Sequence, residues 1–125
     1  MASDFEAAFV QLKGVFEKHL CRLAVKQDTA LVYDLAARTP SPLPQHKGHP
    51  MWFGAVRRGK AYVSFHLMPL YMNPPLLRAV KPALRKHMQG KTCFGFKGAP
   101  APALLENLEQ LVEAGINDWA QKKYL

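Results

Sequence analysis

Residues 51–67, MWFGAVRRGKAYVSFHL, contain the clearest hairpin pattern in this chain. Two apolar-rich runs flank a two-residue turn at 58–59, where a glycine supplies the positive φ that such a turn favours. The stretch therefore predicts an antiparallel hairpin whose register places Arg57 opposite Lys60.

Alternate side chains of this hairpin differ in character, and successive side chains of a strand point to opposite faces. One predicted face is apolar and holds Trp52, Val56, Ala61, Val63, Phe65 and Leu67. The other is mixed and holds Met51, Phe53, Arg57, Lys60, Tyr62, Ser64 and His66. This division is typical of a sheet that helices cover on one side only. We expect the apolar face to build the core and the mixed face to remain available for binding.

The flanking segments predict a helical layer over the sheet. Apolar residues recur every three or four positions from Phe5 to Leu23, which predicts a first helix reaching about Ala24. The remaining predicted elements are a strand at 30–36, a proline-rich loop, short helices at 74–80 and 82–89, a strand at 91–97 and a long helix at 103–124. The order α-β-β-β-α-β-α predicts a two-layer α+β domain over residues 1–125, with a mainly antiparallel sheet of about four strands and helices on one face.

Bulk composition excludes several classes of protein. A chain of 125 residues with 49% hydrophobic and 21% charged residues is typical of one globular domain. The first residues contain Asp4 and Glu6 and no apolar segment, so we expect no signal peptide. The longest stretch without Lys, Arg, Asp or Glu, 61–77, holds three prolines and does not resemble a membrane span. Two isolated cysteines predict neither a disulfide framework nor a zinc site, and we expect a cytoplasmic protein.

The charge is distributed unevenly along the chain. No Asp or Glu occurs between Leu35 and Leu105, whereas that span contains eleven of the 17 Lys and Arg residues. The two ends together hold the other six bases and all nine acids, which recovers the net charge of +8. Such a basic middle favours an anionic small molecule or an acidic protein surface as partner. Solvation, or pairing of these bases with the acidic terminal helices, would also account for it.

The mixed hairpin face carries the candidate ligand-binding residues. They combine positive charge with aromatic rings and are Phe53, Arg57, Lys60, Tyr62, His66 and, from the neighbouring predicted strand, Lys91. Basic side chains next to aromatic rings that can stack on bases would also suit nucleic acid, but no RNA-recognition motif is present. The apolar members of this face would equally suit a homodimer interface, so the chain is expected to be a monomer or a homodimer.

Metal binding and catalysis are the alternatives. His46, His49 and His66 are weak candidate ligands for zinc or a softer metal, since loop histidines are common and no carboxylate lies nearby in sequence. The QGKT stretch at 89–92 follows a predicted helix and lacks the spacing of a phosphate-binding loop. His66 as an acid or base has no partner in the sequence, so we lean against an enzyme, assign no catalytic residue and expect no cofactor.

Three stretches, YDLAARTPSP, MWFGAVRRGKAYVSFHLMPLYMNP and LRKHMQGKTCFGFK, resemble the YdhG-like superfamily, known largely as a domain of unknown function. The resemblance covers about residues 30–124 and implies a small α+β fold with a helical layer against a curved sheet. One branch is described as frataxin-like, which implies iron delivery through acidic side chains. The first helix of this chain has only Asp4, Glu6 and Glu17 as acids, so the resemblance implies a fold more directly than an activity.

Overall fold

An antiparallel meander forms the sheet of this protein. The computed structural model describes residues 2–20, 23–90 and 93–125. Five strands follow one another across the sheet in chain order, each antiparallel to the next. They are β1 (Leu23–Asp28), β2 (Val32–Ala37), β3 (Trp52–Arg58), β4 (Val63–Leu67) and β5 (Cys93–Phe96). The helices are α1 (Ala2–Glu17), α2 (Met68–Met72), α3 (Pro82–Arg85) and α4 (Pro102–Gln121), with 3-10 turns at Pro44–His46 and Pro74–Ala79.

The predicted α+β class, with an antiparallel sheet and a helical layer, is confirmed. Helix α1 crosses β3 and β4, where the ring of Phe16 stacks on Phe65 at 4.7 Å and meets the edge of Phe53 at 6.2 Å. Helix α4 packs beside α1 and places Trp119 against Phe53 at 5.2 Å. These rings, all fully buried, form the centre of one hydrophobic core.

The sheet has one strand more than the predicted four. The predicted first helix ran to about Ala24, but α1 ends at Glu17 and β1 begins at Leu23. Leu20 and Leu23 lie beyond the end of α1 but pack on the same core. Their positions in the sequence therefore extend the apolar spacing of α1, although neither residue belongs to the helix. Strand β1 is an edge strand and is mostly exposed, so it lacks the apolar alternation that would have predicted it.

The predicted hairpin register is wrong by four residues. Arg57 lies opposite Ser64 rather than Lys60, and Ala55 lies opposite His66. A loop of four residues, 59–62, replaces the two-residue turn and is closed by a hydrogen bond from the amide of Gly59 to the carbonyl of Tyr62 at 3.0 Å. Gly59 does not adopt a positive φ. Because the shift is by an even number of residues, it does not exchange the two faces.

A β-bulge exchanges two side chains between the faces of β3. Leu35 pairs with Gly54 and Ala36 with Trp52, so Phe53 is the extra residue. Phe53 therefore turns into the core, where it is fully buried, while Trp52 lies on the open face and donates a hydrogen bond to Asp34. Gly54 permits this packing, since a Cβ there would lie 2.8 Å from the ring of Phe16.

The segment between β4 and β5 is less helical than predicted. Met68–Met72 forms a helix that was not expected, the helix predicted at 74–80 is a 3-10 turn over Pro74–Ala79, and α3 ends at Arg85 rather than near 89. Asn73 precedes the 3-10 turn, but its side chain donates to Asp118 of α4 at 3.0 Å instead of capping. Buried Asn107 of α4 holds the same segment, accepting from the amide of Lys81 at 2.9 Å and donating to the carbonyl of Ala79 at 2.8 Å.

Candidate ligand-binding site

A basic pocket lies where the hairpin loop meets the start of β2. Its volume is about 630 Å³, within the usual range for small-molecule sites. The lining residues come from 31–32, 57–62 and Ser64, and they include Arg57, Arg58 and Lys60 but no Asp or Glu. The sheet register accounts for this grouping, because Arg57 pairs with Val32 on one side and Ser64 on the other. We refer to this cavity as the basic pocket.

An aromatic ring forms one wall of the basic pocket. Tyr62 is 36% exposed, and its ring lies over Gly95 of β5. A Cβ added at Gly95 would be 3.0 Å from the ring of Tyr62 and 2.9 Å from the side-chain amide of Gln89. The absence of a side chain at Gly95 therefore lets Tyr62 and Gln89 rest on the sheet. A positioned ring beside cations offers a ligand both stacking and charge.

His66 lies next to the basic pocket on the open face. Its Nε2 and the hydroxyl oxygen of Ser64 are 2.8 Å apart and hydrogen-bonded. Burial lowers the pKa of His66 below its usual value of 6.5, the positive charge of Arg57 lowers it further, and the carboxylate of Asp34 opposes both. The imidazole is therefore neutral near pH 7, so the positive charge of the site comes from its Arg and Lys side chains.

Asp34 was not predicted as a neighbour of the candidate site. Its carboxylate accepts from the indole N–H of Trp52, whose ring is 6.2 Å from that of His66. In the sequence this acid belongs to the amino-terminal block, and only the sheet register places it in the same cross-strand row as His66. Nothing in the local sequence signals this contact.

Two cations of the basic pocket, Arg57 and Lys60, take no part in the ion pairs seen elsewhere among the described residues. Those ion pairs join Lys13 to Asp28 at 2.9 Å, Lys122 to Asp118 at 3.1 Å, and Lys18 to Glu109. Each base in these pairs belongs to the ends of the chain, whereas Arg57 and Lys60 are exposed and take part in none of them. Pairing with the acidic terminal helices therefore does not account for these two cations.

The predicted ligand-binding residues divide into three groups. Arg57, Lys60 and Tyr62 line the basic pocket together, and His66 is adjacent through Ser64. Phe53 does not belong to this face, since the bulge buries it in the core, and a role in direct ligand contact is excluded by its complete burial. Lys91 lies outside the described residues.

The three candidate metal-binding histidines are not brought together. His46 and His49 lie on the proline-rich loop, where Nδ1 of His46 is hydrogen-bonded to the hydroxyl of Ser41 at 2.7 Å. His66 lies on β4 with Ser64 as its partner. Within residues 2–20, 23–90 and 93–125, no group of three or more His, Cys, Asp or Glu side chains is arranged to hold a metal ion.

The Ser64–His66 pair has the distance of a nucleophile and its base, but not the rest of such a site. A third group normally orients the base. Among the described residues, no hydrogen bond joins Asp34 to His66, and one carboxylate oxygen of Asp34 accepts from Trp52. Cys93, opposite His66 in the sheet, has its pKa raised by burial and so favours the thiol over the nucleophilic thiolate.

Comparison with known proteins finds no similar sequence or structure. No family model matches the chain, and neither the curated proteins nor the solved structures contain a match. In the part of the chain that the structure describes, no helix is long and apolar enough to cross a membrane.

Proposed function

We propose that this protein is a small binding module that takes an anionic small molecule in the basic pocket. One observation carries the proposal: Arg57 and Lys60, both exposed and outside the ion pairs seen among the described residues, line a cavity of about 630 Å³ together with Tyr62, and its lining contains no carboxylate. A concave site of this size suits a small molecule better than a flat protein surface. The proposal includes a cytoplasmic location and a YdhG-like domain.

Each lining group has a part in recognition. The guanidinium of Arg57 can bind a carboxylate or phosphate through two parallel hydrogen bonds, and Lys60 adds a mobile point charge. Tyr62 offers a ring face to an aromatic or apolar part of the ligand. Ser64 supplies a hydroxyl that neutral His66 holds by a hydrogen bond at 2.8 Å.

A thermal-shift screen tests the proposal. Nucleotides, sugar phosphates and small carboxylates are added at low and at moderate salt, and a ligand at a hundredfold its Kd should stabilise the fold by about 2.7 kcal/mol. Arg57→Glu combined with Lys60→Glu should abolish the shift. The matched control is Lys81→Glu with Lys86→Glu, which reverses two exposed charges outside the basic pocket and should preserve it.

The outcomes separate the candidate partners. A shift that decreases with salt and disappears only in the pocket variant supports the proposal, because electrostatic attraction is screened by salt. A shift that both variants lose equally reflects net charge and contradicts a specific site. A flat screen contradicts the small-molecule ligand and directs the search to an acidic protein surface.

A further inference from the structure

A second cavity lies at the opposite end of β3, between the proline-rich loop and α2. Its volume is about 540 Å³, and its lining is mostly apolar and rich in methionine and aromatic side chains. The lining residues are Leu43, Gln45, His46, His49, Pro50, Met51, Trp52, Met68, Tyr71 and Met72. None of them lines the basic pocket, and we refer to this second cavity as the methionine pocket.

Helix α2 has two faces with different partners. Pro69 and Leu70 are buried, and Pro69 lies against α4 so closely that a Cβ on Gly115 would be 2.9 Å from its ring. The remaining side chains, at positions 68, 71 and 72, follow the three- and four-residue spacing of one helix face and line the methionine pocket. The contact with α4 therefore fixes the helix that forms one wall.

The opposite wall is a loop that is held by its own hydrogen bonds. The hydroxyl of buried Ser41 accepts from the amide of Leu43 at 3.1 Å and is bonded to Nδ1 of His46 at 2.7 Å. The amide of Ser41 donates to the carbonyl of His49 at 3.2 Å, and that of His49 to His46 at 2.9 Å. A loop ordered before binding loses little freedom when a ligand arrives.

The chemistry of the lining indicates the ligand. Thioether sulfurs make favourable contacts with aromatic rings, and Met51, Met68 and Met72 contribute three of them to one cavity. The indole of Trp52 is held in place by its bond to Asp34. Polar groups come from Gln45 and two histidines, and because Nδ1 of His46 is engaged by Ser41, its Nε2 is the nitrogen left for a ligand.

We infer that the methionine pocket binds an aromatic carboxylate, with the ring among the methionines and the carboxylate near the histidines. The polar lining favours an acid, since Gln45, His46 and His49 can offer hydrogen-bond donors to a carboxylate and no Asp or Glu lines the pocket. The volume accommodates a ligand of one or two fused rings. This inference does not depend on the basic pocket.

Methyl NMR of the full chain, labelled with ¹³C at the methionine methyl groups, tests the inference with 2-naphthoate as probe. We expect saturable shifts at Met51, Met68 and Met72, and none at Met88, which does not line the pocket. Cyclohexanecarboxylate, with the same charge and no aromatic ring, should bind at least tenfold more weakly.

Two exposed positions provide matched variants. Tyr71 on the pocket rim is 63% exposed and Val10 on α1 is 57% exposed, so neither substitution disturbs the core. Tyr71→Glu should weaken 2-naphthoate at least tenfold by removing a ring and repelling the acid, and Val10→Glu should stay within twofold. Equal affinities in the two variants, equal binding of the saturated acid, or shifts that include Met88 would overturn the inference. Pocket methyl signals that move on dilution of the protein alone would overturn it in favour of a second copy of the chain.

Discussion

Replacing Phe53 by alanine distinguishes the bulged strand from a regular one. On a regular strand Phe53 would lie on the mixed face, and its loss would change stability by about 0.5 kcal/mol or less, as at other surface sites. In the structure its side chain is fully buried and meets Phe16 at 6.2 Å and Trp119 at 5.2 Å, both edge to face. A buried Phe→Ala substitution costs about 3–5 kcal/mol, partly through such aromatic pairs.

The measurement is thermal unfolding followed by circular dichroism, with Tyr62→Ala as the control. At about 4 °C per kcal/mol for a domain of this size, Phe53→Ala should lower Tm by about 12–20 °C. Tyr62→Ala, which removes a half-exposed ring from the open face, should cost about 1 kcal/mol or less. Similar losses for the two variants, or a loss below about 1 kcal/mol for Phe53→Ala, would refute the bulge and the burial that follows from it.

Two further predictions concern a buried amide and a titrating imidazole. Asn107→Ala should cost about 2 kcal/mol in urea unfolding, because the amide of Lys81 and the carbonyl of Ala79 lose their partner; a loss under about 0.5 kcal/mol contradicts this. Folding lowers the pKa of His66 below 6.5, so below pH 6.5 the unfolded chain binds a proton more readily than the folded protein does. The free energy of unfolding therefore decreases as the pH falls below 6.5. His66→Gln should therefore reduce the difference in unfolding free energy between pH 7.5 and 5.5, and an unchanged difference refutes the shift.

The sequence predicted the elements whose side chains pack directly on the core. The apolar residues Val63, Phe65 and Leu67 alternate as a half-buried strand must, and they face the helices as expected. The final helix was predicted for the same reason, and it runs over Pro102–Gln121. In both cases burial on one side produces a periodic pattern of apolar residues, and this pattern can be recognised from the local sequence alone.

The errors arise where tertiary contacts override the local pattern. The bulge at Phe53 depends on the close approach of Phe16 to Gly54, which joins residues far apart in the chain. The four-residue loop after Arg58 displaces the register because the pairing across the whole sheet, not the Arg-Gly dipeptide, selects the turn. Edge strand β1 carries no burial signal of its own.

The candidate site was predicted in part for the same reason. Arg57, Lys60 and Tyr62 are close in sequence around one loop, so they line the same pocket although the predicted hairpin register was wrong. The methionine pocket was not predicted, because its walls come from the proline-rich loop and from α2, which are some twenty residues apart in sequence. Only the folded sheet places them beside each other.

Anion binding in the basic pocket can be tested by a ¹H–¹⁵N NMR titration with pyrophosphate at low salt, since this probe carries charge without a ring. If the basic pocket binds anions, the shifts should be saturable and confined to the amides around it, at 31–32 and 57–64, and Arg57→Glu with Lys60→Glu should abolish them. Shifts that spread equally to Lys81, Lys86 and the other exposed cations, or that do not saturate, would show a general attraction of anions to a basic protein and would contradict the proposed site.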